Sequence, residues 1–274
     1  MSGPSSRISP LPVFGSVSRL GRGIAAAVAI TVSAAGCATP PPQSDPEAYA
    51  EFREINDPIE PFNRVIFEIN RGLDAMFLKP LAEFYLLLLP PPVQTGIHNF
   101  VTNLRAPVTF FNDLLQGEGS RAANTAGRFA VNTTVGVGGL VDWASDWGMP
   151  YHNEDFGQTL AVWGVGEGPY LVLPVIGPSN PRDAVGIAVD SAVLDPFGFL
   201  VTFVYDSTLL DILAYTRLGL TAIDARARNY DALADIEKNS LDFYATMRSL
   251  YRQSRASEIA NGRPVPSPDT PTID

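Results

Sequence analysis

The run Phe84-Tyr85-Leu86-Leu87-Leu88-Leu89, closed by Pro90-Pro91-Pro92, restricts the fold of this chain more than any other segment. Read as a helix over 81–89, it has no polar face. Such a helix lies either at the centre of a core or against lipid. It is shorter than the ~18 apolar residues of a membrane-spanning helix, and no segment beyond residue 36 reaches that length. An interfacial or half-embedded position therefore competes evenly with a core position. Tyr85 would suit a headgroup boundary. A second nearly polar-free region, 197–205, carries Phe197, Phe199, Leu200, Val201, Phe203 and Val204. We expect Phe84, Tyr85, Leu87, Phe199 and Phe203 to supply membrane or protein contacts.

The remaining pattern is helical. After Asp57-Pro58-Ile59-Glu60-Pro61, the residues Phe62, Val65, Ile66, Ile69, Leu73 and Met76 recur at helical spacing. Core packing is the simpler reading of one such stripe. Two further helices are expected over 93–104 and 106–115, separated at Arg105-Ala106-Pro107, and another from an Ser120 cap to about Asn132. Asn180 as cap with Pro181 in the first turn starts a helix rich in small residues. From Thr208 to about Ile259 there is no Pro and only Gly219, which reads as long helix bent at that glycine. Leu171 to Ile176 reads as a short extended segment.

The N-terminus carries a second kind of information. Arg7, Arg19 and Arg22, with no acid, precede the apolar stretch 23–35 and the small residues Ala34-Ala35-Gly36. This is the layout of a secretory signal peptide over 1–36. Cys37, the only cysteine, follows directly. That position matches the acylated cysteine of a bacterial lipoprotein, although Ala34 stands where Leu is usual. The competing reading is an ordinary signal peptide with a cysteine nearby by chance. An unpaired thiol in an oxidising compartment needs a reason, which favours the anchor. Residues 37–45 then form a Pro-rich tether, 46–260 the body, and 261–274 a disordered tail. Ala38, rather than Asp, after the cysteine favours outer-membrane delivery.

Composition excludes several classes. The removed segment has three Arg and no acid, so net charge moves from −10 to −13. An acidic body argues against nucleic acid as a partner. His98 and His152 are the only histidines and form no ligand motif, so no metal or other cofactor is expected. The glycines of Gly136-Val137-Gly138-Gly139 follow a helix rather than a strand and lack a following Lys-Ser/Thr. They read as close helix approach or a hinge, not a phosphate cradle. No G-x-S-x-G elbow is present, which argues against a lipase. We expect no enzyme activity.

Four stretches carry a resemblance: 57–64 (DPIEPFNR), 96–117 (GIHNFVTNLRAPVTFFNDLLQG), 128–144 (RFAVNTTVGVGGLVDWA) and 155–186 (DFGQTLAVWGVGEGPYLVLPVIGPSNPRDAVG). In this order, behind a lipoprotein signal, the chain resembles the MlaA (VacJ) family of outer-membrane lipoproteins. The likeness covers about residues 50 to 220. The LLLLPPP segment, 86–92, is more apolar than the family pattern. The resemblance implies an all-α, ring-shaped bundle of amphipathic helices around a central channel, lipid-anchored and partly embedded in the outer membrane. It implies removal of mislocalised phospholipid from the outer leaflet, with trimeric porin and a periplasmic MlaC-type carrier as partners. Gly136, Gly138 and Gly139 would then shape or gate the channel. The alternative is a porin-associated envelope scaffold that carries no lipid.

Overall fold

The computed structural model describes residues 55–200, 203 and 208–261. The expected signal peptide, Cys37 and its tether lie outside these residues, as do 201–202, 204–207 and 262–274.

Pro61 enters α1 (Glu60–Leu73) in the first turn, where its missing N–H has no intrahelical partner to lose. A π-helical turn, Asp74–Leu78, joins α1 to α2 (Lys79–Leu88). The apolar stripe expected to pack inward is divided. Ile66 and Phe67 are buried with Tyr170, Val172 and Tyr244, whereas Val65, Ile69, Leu73 and Met76 are exposed. Asn63 takes the inward position because it has backbone partners there. Its Nδ2 donates to Asp57 Oδ1 (2.7 Å) and to the Tyr170 carbonyl (2.9 Å). Its Oδ1 accepts from the Val172 N–H at 2.9 Å. Asn70, two turns on, donates to the Leu173 carbonyl (2.9 Å) and accepts from the Val175 N–H (2.7 Å). Two asparagines thus hold β1 (Leu171–Leu173) along the helix. β1 pairs antiparallel with β2 (Gly177–Ser179), Leu171 opposite Ser179 and Leu173 opposite Gly177. The all-α expectation therefore acquires a two-stranded hairpin, in an otherwise mostly helical body.

α2 packs on α9 (Thr208–Arg228) through Ala82, Tyr85 and Ala227. Its largest apolar side chains, Leu81, Phe84, Leu87 and Leu88, are exposed, Leu87 by 85%. A small residue allows close helix approach, and a tyrosine on that face needs a polar partner. Tyr85 finds one in Asp224, 3.0 Å from its hydroxyl. No helix among the described residues is long and apolar enough to cross a membrane.

The two helices expected around Pro107 are one, α3 (Pro91–Leu115), with Pro107 inside it. An interior proline costs roughly 3 kcal/mol. The packing of α3 against α4 (Gly119–Thr134) and α9 offsets that cost. Gly117 closes α3 in the left-handed region (φ 78°), with the Glu118 N–H on the Asp113 carbonyl. α4 begins at Gly119, one residue before the expected cap, and Glu118 precedes it without a side-chain cap bond. After α4 come the short α5 (Trp143–Asp146), capped by Asp142, and α6 (Phe156–Val162), capped by Asp155. The Asn180 cap and Pro181 open α7 (Pro181–Val189) as expected. α6 and α7 touch at glycines: a Cβ on Gly186 would lie 2.4 Å from the Gly157 nitrogen. A π turn, Asp190–Leu194, and α8 (Pro196–Phe199) follow.

The long C-terminal helix is three helices: α9, α10 (Tyr230–Asn239) and α11 (Phe243–Ile259). Gly219 lies inside α9, and the breaks fall at Asn229 and at Ser240–Asp242 instead. Asp242 caps α11 by accepting from the Ala245 N–H at 3.1 Å. A capping carboxylate satisfies an orphan donor that a continuous helix would not have, so it favours a new start there.

Candidate functional site

α3 and α4 are joined by three residues and pack side by side, and each presents polar side chains to the other. His98, Asn99, Thr102, Asn103, Ala106 and Thr109 of α3 recur at helical spacing. Thr125, Arg128, Phe129 and Asn132 of α4 face them, and Asp142, Tyr151 and His152 complete the wall. Together they enclose a cavity of about 180 Å³. Helix faces this polar normally meet water. Here Asn103, Thr109, Thr125, Arg128 and Asn132 are all buried.

Buried polar groups must be paired, and Asn103, Thr125, Arg128 and Asn132 are. Arg128 Nη2 donates to both oxygens of Asp142, at 3.0 and 2.8 Å, and Nη1 donates to Ser145 Oγ and the Met149 carbonyl. Asn132 donates to Asp142 Oδ1 (2.8 Å) and accepts from the Ala144 N–H (3.0 Å). Burial pushes the Asp142 carboxyl up, but hydrogen bonds from Ser145, Asn132 and Arg128 prevail and hold it at about 2. Arg128 is therefore a neutralised cation on the cavity wall.

Both histidines are oriented by aspartates. His98 Nδ1 lies 2.8 Å from Asp224 Oδ2, and Asp224 also accepts from Tyr85. Burial first, then the bond to Asp224, push the Tyr85 hydroxyl up to about 12. His152 Nε2 lies 2.9 and 3.0 Å from the oxygens of the fully buried Asp113. Thr125 Oγ1 is 3.2 Å from the same nitrogen and donates to Asp113 Oδ2 at 2.7 Å. This is not a nucleophile–base–acid relay. A relay needs the hydroxyl on one ring nitrogen and the carboxylate on the other.

Behind the cavity, Asn112 donates to Asp190 Oδ1 at 3.0 Å, and the Phe156 N–H also reaches Asp190. Burial outweighs these bonds and raises the Asp190 carboxyl to about 6. An unfolded aspartate titrates near ~3.9. Between these values the folded chain holds a proton that the unfolded chain has lost, so this group's contribution to stability falls as pH rises. Asp190→Asn should remove that slope and raise stability at neutral pH by about 1–3 kcal/mol. Thermal unfolding of both proteins across this pH range checks it.

The glycine turn after α4 adjoins the cavity. Gly138 and Gly139 have φ of 72° and 96°, and Val137 between Gly136 and Gly138 is also left-handed. A Cβ on Gly139 would lie 2.6 Å from Asn103 Cβ, and one on Gly136 would lie 2.2 Å from the Val141 carbonyl oxygen. Asn99 of the cavity donates to the Leu140 carbonyl at 3.2 Å. The turn is thus fitted against cavity residues. Gly139→Val should cost about 2–4 kcal/mol, from backbone strain and overlap with Asn103. Denaturant unfolding of the variant tests this.

The expected contact residues separate. Phe84 and Leu87 are exposed on α2, and Phe199 and Phe203 are exposed with their rings 5.4 Å apart. Tyr85 is buried and points at Asp224, so it leaves this set. Sequence reading missed the cavity residues. The signal was the polar stripe at 98, 99, 102 and 103 with its counterpart at 125, 128 and 132. The described residues contain no group of three or more His, Cys, Asp or Glu that could hold a metal ion.

A family model described as MlaA lipoprotein matches residues 55–258. An uncharacterized protein of Rickettsia bellii is 38% identical over 208 residues, covering 76% of this chain and 78% of that protein. The Haemophilus influenzae protein named intermembrane phospholipid transport system lipoprotein MlaA is 33% identical over 223 residues, 80% of this chain and 86% of its own length. The Escherichia coli protein of the same name is 32% identical over 225 residues, 80% and 85% of the two lengths. A solved structure, described as the structural basis for maintenance of bacterial outer membrane lipid asymmetry, superposes with a TM-score of 0.63 at 32% identity. It covers 75% of this chain and 99% of the solved one. The matched residues contain the cavity, the glycine turn and the exposed faces of α2 and α8, and on these grounds the chain belongs to the MlaA lipoprotein family.

Proposed function

We propose that this protein is an outer-membrane lipoprotein that removes misplaced phospholipid from the outer leaflet and passes it toward the periplasm. The observation that carries the reading is an inversion of the soluble pattern. Polar helix faces enclose a cavity between α3 and α4, while Phe84, Leu87 and Phe203 are exposed. A headgroup needs a polar path. Acyl chains stay favoured in apolar surroundings by ~0.8 kcal/mol per CH₂. A ring of amphipathic helices partly embedded in the membrane, with the cavity as part of its channel, supplies both. The relatives' names support phospholipid as the cargo.

In this reading Cys37 is acylated, with chains such as palmitate, and the 37–45 tether holds the 46–260 body at the periplasmic side. The exposed faces of α2 and α8 meet lipid or a trimeric porin. Gly136, Gly138 and Gly139 set the channel rim, and an MlaC-type periplasmic carrier receives the lipid. No bond is made or broken, so the protein acts as a transporter and not as an enzyme.

The test is outer-leaflet phospholipid in a deletion strain, rescued by wild type, by Cys37→Ala and by Leu87→Asp. Surface phospholipid should rise on deletion and fall with wild type. A carboxylate placed in hydrocarbon costs roughly 2.5–3.5 kcal/mol. Leu87→Asp should therefore weaken membrane association about a hundredfold and rescue poorly. Phe203→Asp should act in the same direction. Normal asymmetry in the deletion strain would overturn the proposal. A porin-bound scaffold would instead leave no lipid co-purifying with the protein.

A further inference from the structure

The two histidines are the only ones in the chain, and both line the same cavity. Each has one ring nitrogen committed to an aspartate that is at least nine-tenths buried. A carboxylate can only accept, so the committed nitrogen carries the hydrogen. That places N–H on Nδ1 of His98 and on Nε2 of His152. When a ring is uncharged, its other nitrogen is a bare lone pair: Nε2 of His98 and Nδ1 of His152. Neither receives a hydrogen bond from the described residues.

Most nitrogen donors on the same wall are engaged, and the hydroxyls of Thr102, Thr109 and Tyr151, which also line it, can accept as well as donate. Arg128 is tied to Asp142, Ser145 and the Met149 carbonyl. The amide nitrogens of Asn99, Asn103 and Asn132 donate to the Leu140 carbonyl, Thr133 Oγ1 and Asp142. Their engagement leaves the carbonyl oxygens of Asn99 and Asn103 open among the described residues. What the cavity still offers is therefore mainly acceptors. Arg128 is balanced by Asp142, Arg228 lies 3.3 Å from Asp224, and Arg121 lies 3.6 Å from Asp113.

A guest that completes such a wall must bring N–H or O–H groups, and an ammonium, whose charge strengthens each hydrogen bond it donates, does this best. We infer that the cavity recognises the primary ammonium of an ethanolamine-type phospholipid headgroup, with His98 Nε2 and His152 Nδ1 as acceptors. The inference rests on the transport reading and names its preferred cargo. A trimethylammonium headgroup has the charge but no donor. A glycerol headgroup has donors but no positive charge. Losing one charge-assisted hydrogen bond weakens binding about tenfold.

The test uses the full chain, detergent-solubilised at neutral pH. Phosphatidylethanolamine, phosphatidylcholine and phosphatidylglycerol with the same acyl chains are offered together, and retained lipid is read by native mass spectrometry. Phosphatidylethanolamine should be retained about tenfold over each of the others. His98→Phe and His152→Phe should bring that ratio close to one while some lipid is still retained. Because the lipid series is run on the wild type, the inference stays testable if a variant does not fold. In parallel, soluble glycerophosphoethanolamine is titrated against the ring signals of the two histidines by NMR. Equal retention of the three lipids overturns the inference and leaves transport intact. Shifted ring signals with no lipid retained support the headgroup chemistry and count against transport. No lipid retained and no shift overturns both.

Discussion

Arg255→Leu should lower the unfolding free energy by about 3–5 kcal/mol, the usual cost of stripping one partner from a buried ion pair. Arg255 Nε donates to Asp183 Oδ2 at 2.8 Å, and its two terminal nitrogens reach the Asp155 oxygens at 2.7 and 2.9 Å. The three side chains are exposed by 12%, 6% and 18%, so water replaces little of what the arginine supplies. Through this one residue α11 holds the start of α6 and the start of α7. Burial pushes the Asp183 carboxyl up, yet bonds from Arg255 and Tyr251 pull it down to about 2. Asp155 is lowered in the same way, with Arg255 as the main stabiliser against burial. Both folded carboxyls therefore titrate below the unfolded ~3.9. Their contribution is complete above that value and is lost as pH falls from ~4 toward ~2. The variant should show a shallower acid limb as well as a lower plateau. Denaturant unfolding at neutral and acid pH reads both. A loss under about 1 kcal/mol would mean that α11 is held instead by its aromatic packing and its other ion pairs, such as Arg64–Asp242 and Arg248–Asp57.

Asn63→Leu should cost about 3 kcal/mol or more, although the replacement is apolar and similar in size. Asn63 is fully buried, and its amide serves Asp57, the Tyr170 carbonyl and the Val172 N–H. A leucine leaves these three groups without that partner, at about 1–3 kcal/mol for each buried group left unpaired. Asp57 keeps Tyr244 and Arg248 as donors, so the damage should concentrate on β1. Hydrogen exchange should show the Val172 amide opening far more often than in the wild type. Unchanged protection at Val172 would remove Asn63 from its role as the anchor of the hairpin.

Local signals in the chain were readable where the cause was local. Asn180-Pro181 predicts a helix start because a capping side chain and a proline act within one turn, and α7 begins there. The small residues of α7 foretell close packing, and Gly186 meets Gly157. Pro107 misled because its cost of roughly 3 kcal/mol is small against the packing of a long helix on two neighbours. Gly219 misled in the opposite direction. A glycine weakens a helix without ending it, whereas Asp242 supplies a capping acceptor that does start a new one.

The order of helices, the two apolar runs and the family likeness could all be read along the chain, because each depends on residues close in sequence. Which side of α1 and α2 turns inward could not. Spacing gives a side chain's angle on its helix but not what that angle meets. Asn63 displaced its apolar neighbours because backbone groups more than a hundred residues away needed a partner, and Tyr85 turned from the boundary because a carboxylate on a distant helix, Asp224, could accept from its hydroxyl. The cavity depended on tertiary packing as well. Its wall joins residues 98–109, 125–132, 142 and 151–152, and the aspartate that orients His98 comes from residue 224. A site assembled across such separations is specified by which helix faces pack together, and that choice is made by contacts between segments rather than by the pattern within any one of them.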